Sequence, residues 1–245
     1  MTFLEQAVFD IQGSKMYLDE LDSLHLAEYG YYEKDVTDWI NQNITENDTC
    51  VDIGAHIGYF TLMMSKKARY VYAYEPYLFN FRILQKNILL NNCYNVILCA
   101  EAVADRQGAG MIFPCSSNSG MHRIYPSKWC EKMGETVSFT KLGGIFLISV
   151  PTFIKIDCEG SEYGALIGME QLLKREHPTI IMEFDPPSIM EYGRHPREEF
   201  DLLTSLHYDP FMFPDVEKST SFIEASNKAL ELKYGVNLLW KYSDP

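Results

Sequence analysis

Residues 51–60 run Val-Asp-Ile-Gly-Ala-His-Ile-Gly-Tyr-Phe, and no other stretch of the chain restricts the fold as tightly. An apolar strand closes on Asp52, Gly54 and Gly58 frame a short turn, and Tyr59-Phe60-Thr61-Leu62-Met63-Met64 opens a helix. Strand, glycine turn and helix in that order make a corner where a ligand meets backbone N–H groups, since glycine permits both the tight turn and the close approach. The spacing is Gly-x-x-x-Gly, with Ala55 and His56 inside it. A dinucleotide fingerprint needs Gly-x-Gly-x-x-Gly, so that a pyrophosphate can touch the backbone. A cofactor without phosphates suits this corner better, and S-adenosylmethionine is expected.

The next apolar run, Tyr70-Val71-Tyr72-Ala73-Tyr74, ends in Glu75-Pro76. An acid at the tip of the second strand is placed to accept both hydroxyls of a ribose. The plainer reading is that Glu75 caps the helix that follows. Composition sets the outer bounds. A chain of 245 residues, 47% hydrophobic and 22% charged, has interior enough for one soluble α/β domain. Its formal charge of −13 repels a polyanion, which disfavours nucleic acid as a substrate. The six cysteines (50, 93, 99, 115, 130 and 158) contain no Cys-x-x-Cys pair, and most read as small core residues. No window approaches the ~20 apolar residues of a membrane span. Met1-Thr2-Phe3-Leu4-Glu5 shows no basic segment or apolar signal core, so a cytoplasmic location is expected.

Strand-like and helical segments alternate along the chain, which argues for a parallel sheet covered by helices. Strands are expected at Cys50–Ile53, Tyr70–Tyr74, Val96–Cys99, Thr152–Asp157 and Thr179–Phe184. A late strand at Val236–Trp240 should pair with one near Pro210–Phe213. Phe81, Leu84, Ile88 and Leu89 give one helical face, and a lead-in of residues 1–48 carries a helix around Glu33–Gln42. Residues 49–245 form the main body, all within one domain. Asp157, Glu75 and Glu183 sit at strand tips, the edge where open α/β sheets bind ligands. Asp157-Cys158-Glu159-Gly160-Ser161-Glu162 adds further acids, suited to acid–base work on a hydroxyl or, as the lesser reading, to a cation. Glu162 alone also reads as a residue favouring the N-terminus of the next helix. Residues 105–150 separate two strands by far more than the usual ~2–6 residues, and acceptor choice is expected there, His122 included.

Taken together, Val-Asp-Ile-Gly-Ala-His-Ile-Gly, Tyr-Ala-Tyr-Glu-Pro, Ile-Lys-Ile-Asp-Cys-Glu-Gly-Ser-Glu and Ile-Ile-Met-Glu-Phe resemble the FkbM-type methyltransferases. The lead-in Glu28-Tyr29-Gly30-Tyr31-Tyr32-Glu33 is similar to that family's Gly-x-Tyr-Glu segment. The resemblance implies a class I, Rossmann-like fold: a seven-stranded, mostly parallel sheet with helices on both faces. It also implies an S-adenosylmethionine-dependent enzyme that methylates hydroxyls of sugars, glycans or secondary metabolites. Asp52, Gly54 and Gly58 would hold the methionine end, with Glu33, Ala55, His56 and Tyr59 on the same cofactor side. Glu75 with Pro76 would take the ribose, and Glu101 with Ala102 the adenine. Asp157 and Glu159 would face the methyl and the acceptor as catalytic acids, Asp157 also touching the cofactor, and His122 and Glu183 would meet the acceptor. No metal is expected, and a homo-oligomer stays open. Two departures stand out: His56 replaces a frequent Asn, and Thr140-Lys141-Leu142-Gly143-Gly144 lacks both acids of a Thr-Leu-Asp-Asp stretch. The alternatives are N- or carboxyl-methylation on the same fold and a non-catalytic cofactor-binding protein. A nicotinamide oxidoreductase is disfavoured by the missing third glycine and by the absence of a Tyr-x-x-x-Lys pair after the fourth strand.

Overall fold

The computed structural model describes residues 7–142 and 148–244, so residues 1–6, 143–147 and 245, Gly143 and Gly144 of the 140–144 stretch among them, lie outside the described residues. A hairpin of β1 (Val8–Ile11) and β2 (Ser14–Tyr17) leads into α1 (Leu26–Tyr29) and α2 (Lys34–Asn43). The central repeat follows: β3 (Thr49–Ile53), α3 (Tyr59–Ser65), β4 (Tyr70–Tyr74), α4 (Leu78–Leu90) and β5 (Val96–Cys99). β6 (Glu101–Val103), β7 (Gly108–Ile112) and β8 (Glu135–Thr140) then form a small separate sheet. The chain returns through β9 (Phe153–Ile156), α5 (Glu162–Glu176) and β10 (Thr179–Phe184). It ends with α6 (Pro186–Glu191), α7 (Arg197–Ser205), β11 (Tyr208–Met212), β12 (Asp215–Ser219), α8 (Phe222–Leu232) and β13 (Val236–Tyr242).

The main sheet has the order β12-β11-β13-β10-β9-β3-β4-β5. Its five strands from β10 to β5 are mutually parallel, and β13 enters antiparallel between β10 and β11. Eight strands replace the seven expected, because β12 folds back on β11 as an extra edge. The expected pairing of the late strand holds, with Pro210 opposite Trp240 and Phe211 opposite Leu239.

Alternation along the strands divides the core into two layers, as a sheet buried on both faces requires. Val51, Ile53, Ile154, Ile156, Ile180 and Met182 pack under α5, α7 and α8. Cys50, Phe153 and Ile181 point the other way, against α2, α3 and α4. On α4, Leu84 and Ile88 are buried as expected, whereas Leu89 is 71% exposed. An apolar residue one position past Ile88 lies about 100° round the helix, off the buried stripe. The cysteine reading also needs correction. Cys115 and Cys130 form a disulfide in the insert, and of the four free cysteines only Cys50 is fully buried. Among the described residues no helix is long and apolar enough to cross a membrane.

Candidate active site

The expected glycine corner forms at the carboxyl end of β3. Gly54 and Gly58 adopt φ of +82° and +96°, and His56 between them also has positive φ. The N–H groups of Gly54 and Ala55 both donate to the Tyr74 carbonyl, which locks the turn to β4. The backbone N–H of His56 donates to Glu75 Oε2 at 2.9 Å, and Tyr77 N–H donates to Oε1 at 2.8 Å. Glu75 therefore does brace the start of α4, yet its carboxylate also lines a cavity of about 220 Å³. Burial pushes its pKa up from 4.5 to about 8, against the pull of those two N–H groups.

The cavity brings together most of the expected residues. Asp52, Gly54, Ala55, His56, Tyr59, Glu75, Pro76, Glu101, Ala102, His122, Asp157 and Glu159 all line it. Gly58 turns away and packs its backbone against Leu84. Glu33 and Glu183 stand outside the lining, one step behind it. Glu33 Oε1 accepts from Asn237 Nδ2 at 2.8 Å, and Asn237 sits opposite Glu183 in the β10–β13 ladder. Asp157, Glu159 and Glu183 each bring a carboxylate oxygen within 4.8 Å of the others. Glu162 takes the helix-start role: its Oε1 accepts from the backbone N–H groups of Cys158 and Gly160.

Sequence reasoning marked the polar run of residues 115–123 as a candidate acceptor wall but missed Lys155 and the partners through which the site closes. Lys155, opposite Asp52 in the β3–β9 ladder, is buried and donates to Asp157 Oδ2 at 2.8 Å. From the insert, Ser119 Oγ lies 2.6 Å from His56 Nε2, and its N–H donates to Ser23 Oγ, which donates to Asp19. Asn80 Nδ2 donates to the Ser119 carbonyl. Arg123, also buried, pairs with Glu191, donates to Ser188 Oγ and lies 3.7 Å from Glu159. Tyr125 OH donates to the Glu159 carbonyl at 2.8 Å. For Ser119 and Arg123 the signal was the polar run of residues 115–123 inside an unusually long connection, whereas Lys155, on β9, and Asn80, on α4, carried none.

His56 Nδ1 and His122 Nε2 are buried at the cavity without a partner among the described residues. Burial drives both imidazoles down from 6.5 to about 4, although Asp19 and Asp157 pull His56 the other way. Both are therefore neutral at physiological pH and can serve as acceptors or as single donors. Because the folded values lie below the unfolded 6.5, the unfolded chain binds these protons first. The resulting stability is complete above about pH 6.5 and is lost as pH falls through about 4. We predict that NMR signals of both rings stay those of neutral imidazole across about pH 5.5–8. A ring that titrates near 6.5 would contradict the closed geometry.

The fold is that of the class I methyltransferases. The chain belongs to the FkbM methyltransferase family: the model of the methyltransferase FkbM domain matches residues 52–216, more than half of its length. The family's methyl donor is S-adenosylmethionine. No curated protein matches the chain by sequence. Among solved structures it is similar to methyltransferase FkbM from Methylobacillus flagellatus KT, at 17% identity and a TM-score of 0.53, over 81% of this chain and 44% of that one. The chain thus spans less than half the length of that relative. Precorrin-6y C5,15-methyltransferase from Geobacter metallireducens GS-15 is similar at 11% identity and a TM-score of 0.51, covering 89% and 92%. The M. jannaschii tRNA m1G37 methyltransferase follows at 13% and 0.50, covering 98% and 57%. At such identities the likeness is one of fold.

The chemistry of the cavity fits that donor. Among the lining residues Lys155 is the single ammonium or guanidinium, and Asp157 already occupies it. Nothing there would neutralise a pyrophosphate, whereas acids and two unpartnered imidazole nitrogens suit a cationic, hydroxyl-bearing molecule.

Proposed function

We propose that the protein is an O-methyltransferase acting on a hydroxyl of a sugar, glycan or other polyhydroxylated small molecule. Asp157 carries this reading: it stands at a parallel-strand tip, lines the cavity, and keeps one carboxylate oxygen beyond its bond to Lys155. Asp52, Gly54, Ala55, His56 and Tyr59 hold the methionine end of the cofactor, with Gly58 shaping the turn that carries them and Glu33 supporting from behind the lining. Glu75 and Pro76 take the ribose, and Glu101 and Ala102 the adenine. When bound, the cofactor supplies an activated methyl group, so positioning does most of the catalytic work. An alcohol is a poor nucleophile. Asp157 accepts its proton as the new bond forms, and Glu159, Glu183 and His122 orient the acceptor. Nucleic acid is not the acceptor in this reading, because the net charge of −13 and the acid-lined site both repel a phosphate backbone. Residues 105–150 act as the acceptor insert of a single catalytic domain. A cytoplasmic setting would keep Cys115 and Cys130 as thiols.

The test is Asp157→Asn, assayed with labelled S-adenosylmethionine against a panel of sugars, polyols and matched amines. Hydroxyl methylation should fall by about 100-fold or more, the range for loss of a general base, while cofactor affinity stays within a few-fold. Unchanged turnover in the variant, or transfer by the wild type to amines alone, would sink this proposal.

A further inference from the structure

With Asp157 as the base, the buried Lys155 still lacks a role. Its side chain is 2% exposed, lies 4.5 Å from the Phe60 ring, and donates to Asp157 Oδ2 at 2.8 Å. Asp52 sits opposite on β3, and Glu33, at the start of α2, acts on the same ammonium through its charge. A lone buried ammonium would be costly; Asp157 pairs with it directly, and the charges of Glu33 and Asp52, from two other segments, add to its stabilisation. Burial alone would lower its pKa; Asp157, Glu33 and Asp52 overturn that and hold it above the ordinary value.

Around Asp157 the acids are too many for all to ionise. Glu159 and Glu183 lie within 4.8 Å, Glu162 and Glu33 stand close behind, and Asp52 and Glu75 add to the same field. Tyr32, Cys158 and His56 complete the titratable groups that face it. Carboxylates crowded in this way share protons, and the bound cation decides which member stays ionised. Burial, then the charge of Asp157, pushes Glu159 and Glu183 well above the usual carboxylate range. Arg123, the nearest other cation, is 3.7 Å from Glu159 and is already engaged by Glu191.

We propose that Lys155 is the positioning residue of this site: it selects Asp157 as the ionised carboxylate of the cluster, fixes Oδ2, and leaves Oδ1 free for the acceptor. Glu159 and Glu183 are then the proton-bearing members, able to donate a hydrogen bond where Asp157 accepts one. The same fold thus splits neighbouring acids into acceptor and donor by placing one ammonium off-centre. The inference rests on the proposed role of Asp157 but is tested without any acceptor.

Protein labelled with ¹³C at the Asp and Glu carboxyls is titrated by NMR, with Asp157 identified by the signal lost in Asp157→Asn. In Lys155→Met the Asp157 midpoint should rise by about 1–3 pH units, the range an adjacent cation commands. Lys155→Arg should bring it back towards wild type. An unmoved midpoint in Lys155→Met, or an Asp157 that is protonated at pH 7 in wild type, overturns the proposal. If Lys155→Met does not fold, the ¹⁵N signal of the Lys155 ammonium decides. It should be sharp and protected in wild type and lost to exchange in Asp157→Asn; a signal indifferent to that change overturns the assignment. Calorimetry of S-adenosylmethionine on the wild type runs alongside. Failure there removes the cofactor reading, whereas the NMR arm alone judges Lys155.

Discussion

Alanine at position 54 should abolish cofactor binding and destabilise the protein by about 2–5 kcal/mol. A left-handed backbone costs an L-residue about 1–2 kcal/mol, and overpacking a tight interior adds about 1–3. Both penalties apply at Gly54. Its φ is +82°, and a Cβ built there would lie 1.8 Å from the Asp157 carbonyl oxygen and 2.9 Å from its carbon. That obstacle is backbone, held by the Asp157 N–H bond to the Ile53 carbonyl, so it cannot step aside cheaply. Relief requires β3 and β9 to part at the tip that carries Asp157. Gly58→Ala provides the comparison. Its φ of +96° is strained too, but the new Cβ would meet Leu84 Cδ1 at 2.6 Å, the far end of a side chain that can turn. Denaturant midpoints and calorimetry should therefore rank wild type above Gly58→Ala, and Gly58→Ala above Gly54→Ala. A Gly54→Ala protein with wild-type midpoint and affinity would show that the two strand tips are not in contact in solution.

Much of this corner is legible in the sequence, because it is built from local signals. Tyr70–Tyr74 and Val96–Cys99 are strands with the bounds expected, since turn residues and apolar runs mark both ends. Long-range features are not so visible. β6 reads as a continuation of β5, yet it leaves the main sheet to pair with β8, a partner about 35 residues away that no local pattern announces. Lys155 in Ile-Lys-Ile is only one residue of an expected strand, with nothing local to give it a role. On a sheet covered on both faces the alternation along that strand sends it into the second core layer, beside Asp52. Register decided its role, and register cannot be read from one strand. Arg123 and Ser119 lie in the polar run that the sequence does mark, but their partners were hidden for a related reason: the docking of that loop on Glu191 and His56 depends on three-dimensional proximity.

Glu75 should produce opposite pH responses in the free and the loaded protein, and replacing it should cost about 100-fold or more in S-adenosylmethionine affinity. Its carboxyl is 5% exposed, and burial lifts its pKa from 4.5 to about 8. The folded state thus holds this proton more strongly than the unfolded chain does between about pH 4.5 and 8. Its contribution to stability is complete below 4.5 and is lost as pH rises through 8. Cofactor binding runs the other way. Ribose hydroxyls donate to the ionised carboxylate, so binding below pH 8 must release a proton and weakens as pH falls. Two hydrogen bonds to a charged group are worth about 1.5–3 kcal/mol each, which sets the expected loss in Glu75→Ala. Glu75→Gln helps to separate the two effects: it keeps the shape and removes the charge, at the cost of one acceptor, because its amide nitrogen cannot accept from the His56 or Tyr77 N–H it faces. Free Glu75→Gln should be more stable than wild type at pH 9 by about 2–4 kcal/mol, since a pKa raised tenfold in proton affinity corresponds to about 1.4 kcal/mol. It should nevertheless bind S-adenosylmethionine poorly and with no pH dependence near 8. Calorimetry in buffers of differing ionisation enthalpy counts the released proton directly. A wild type that binds without proton release at pH 7, or a Gln variant that binds as tightly, would move the ribose away from Glu75. The acid would then be left as the brace its bonds to His56 and Tyr77 already make it.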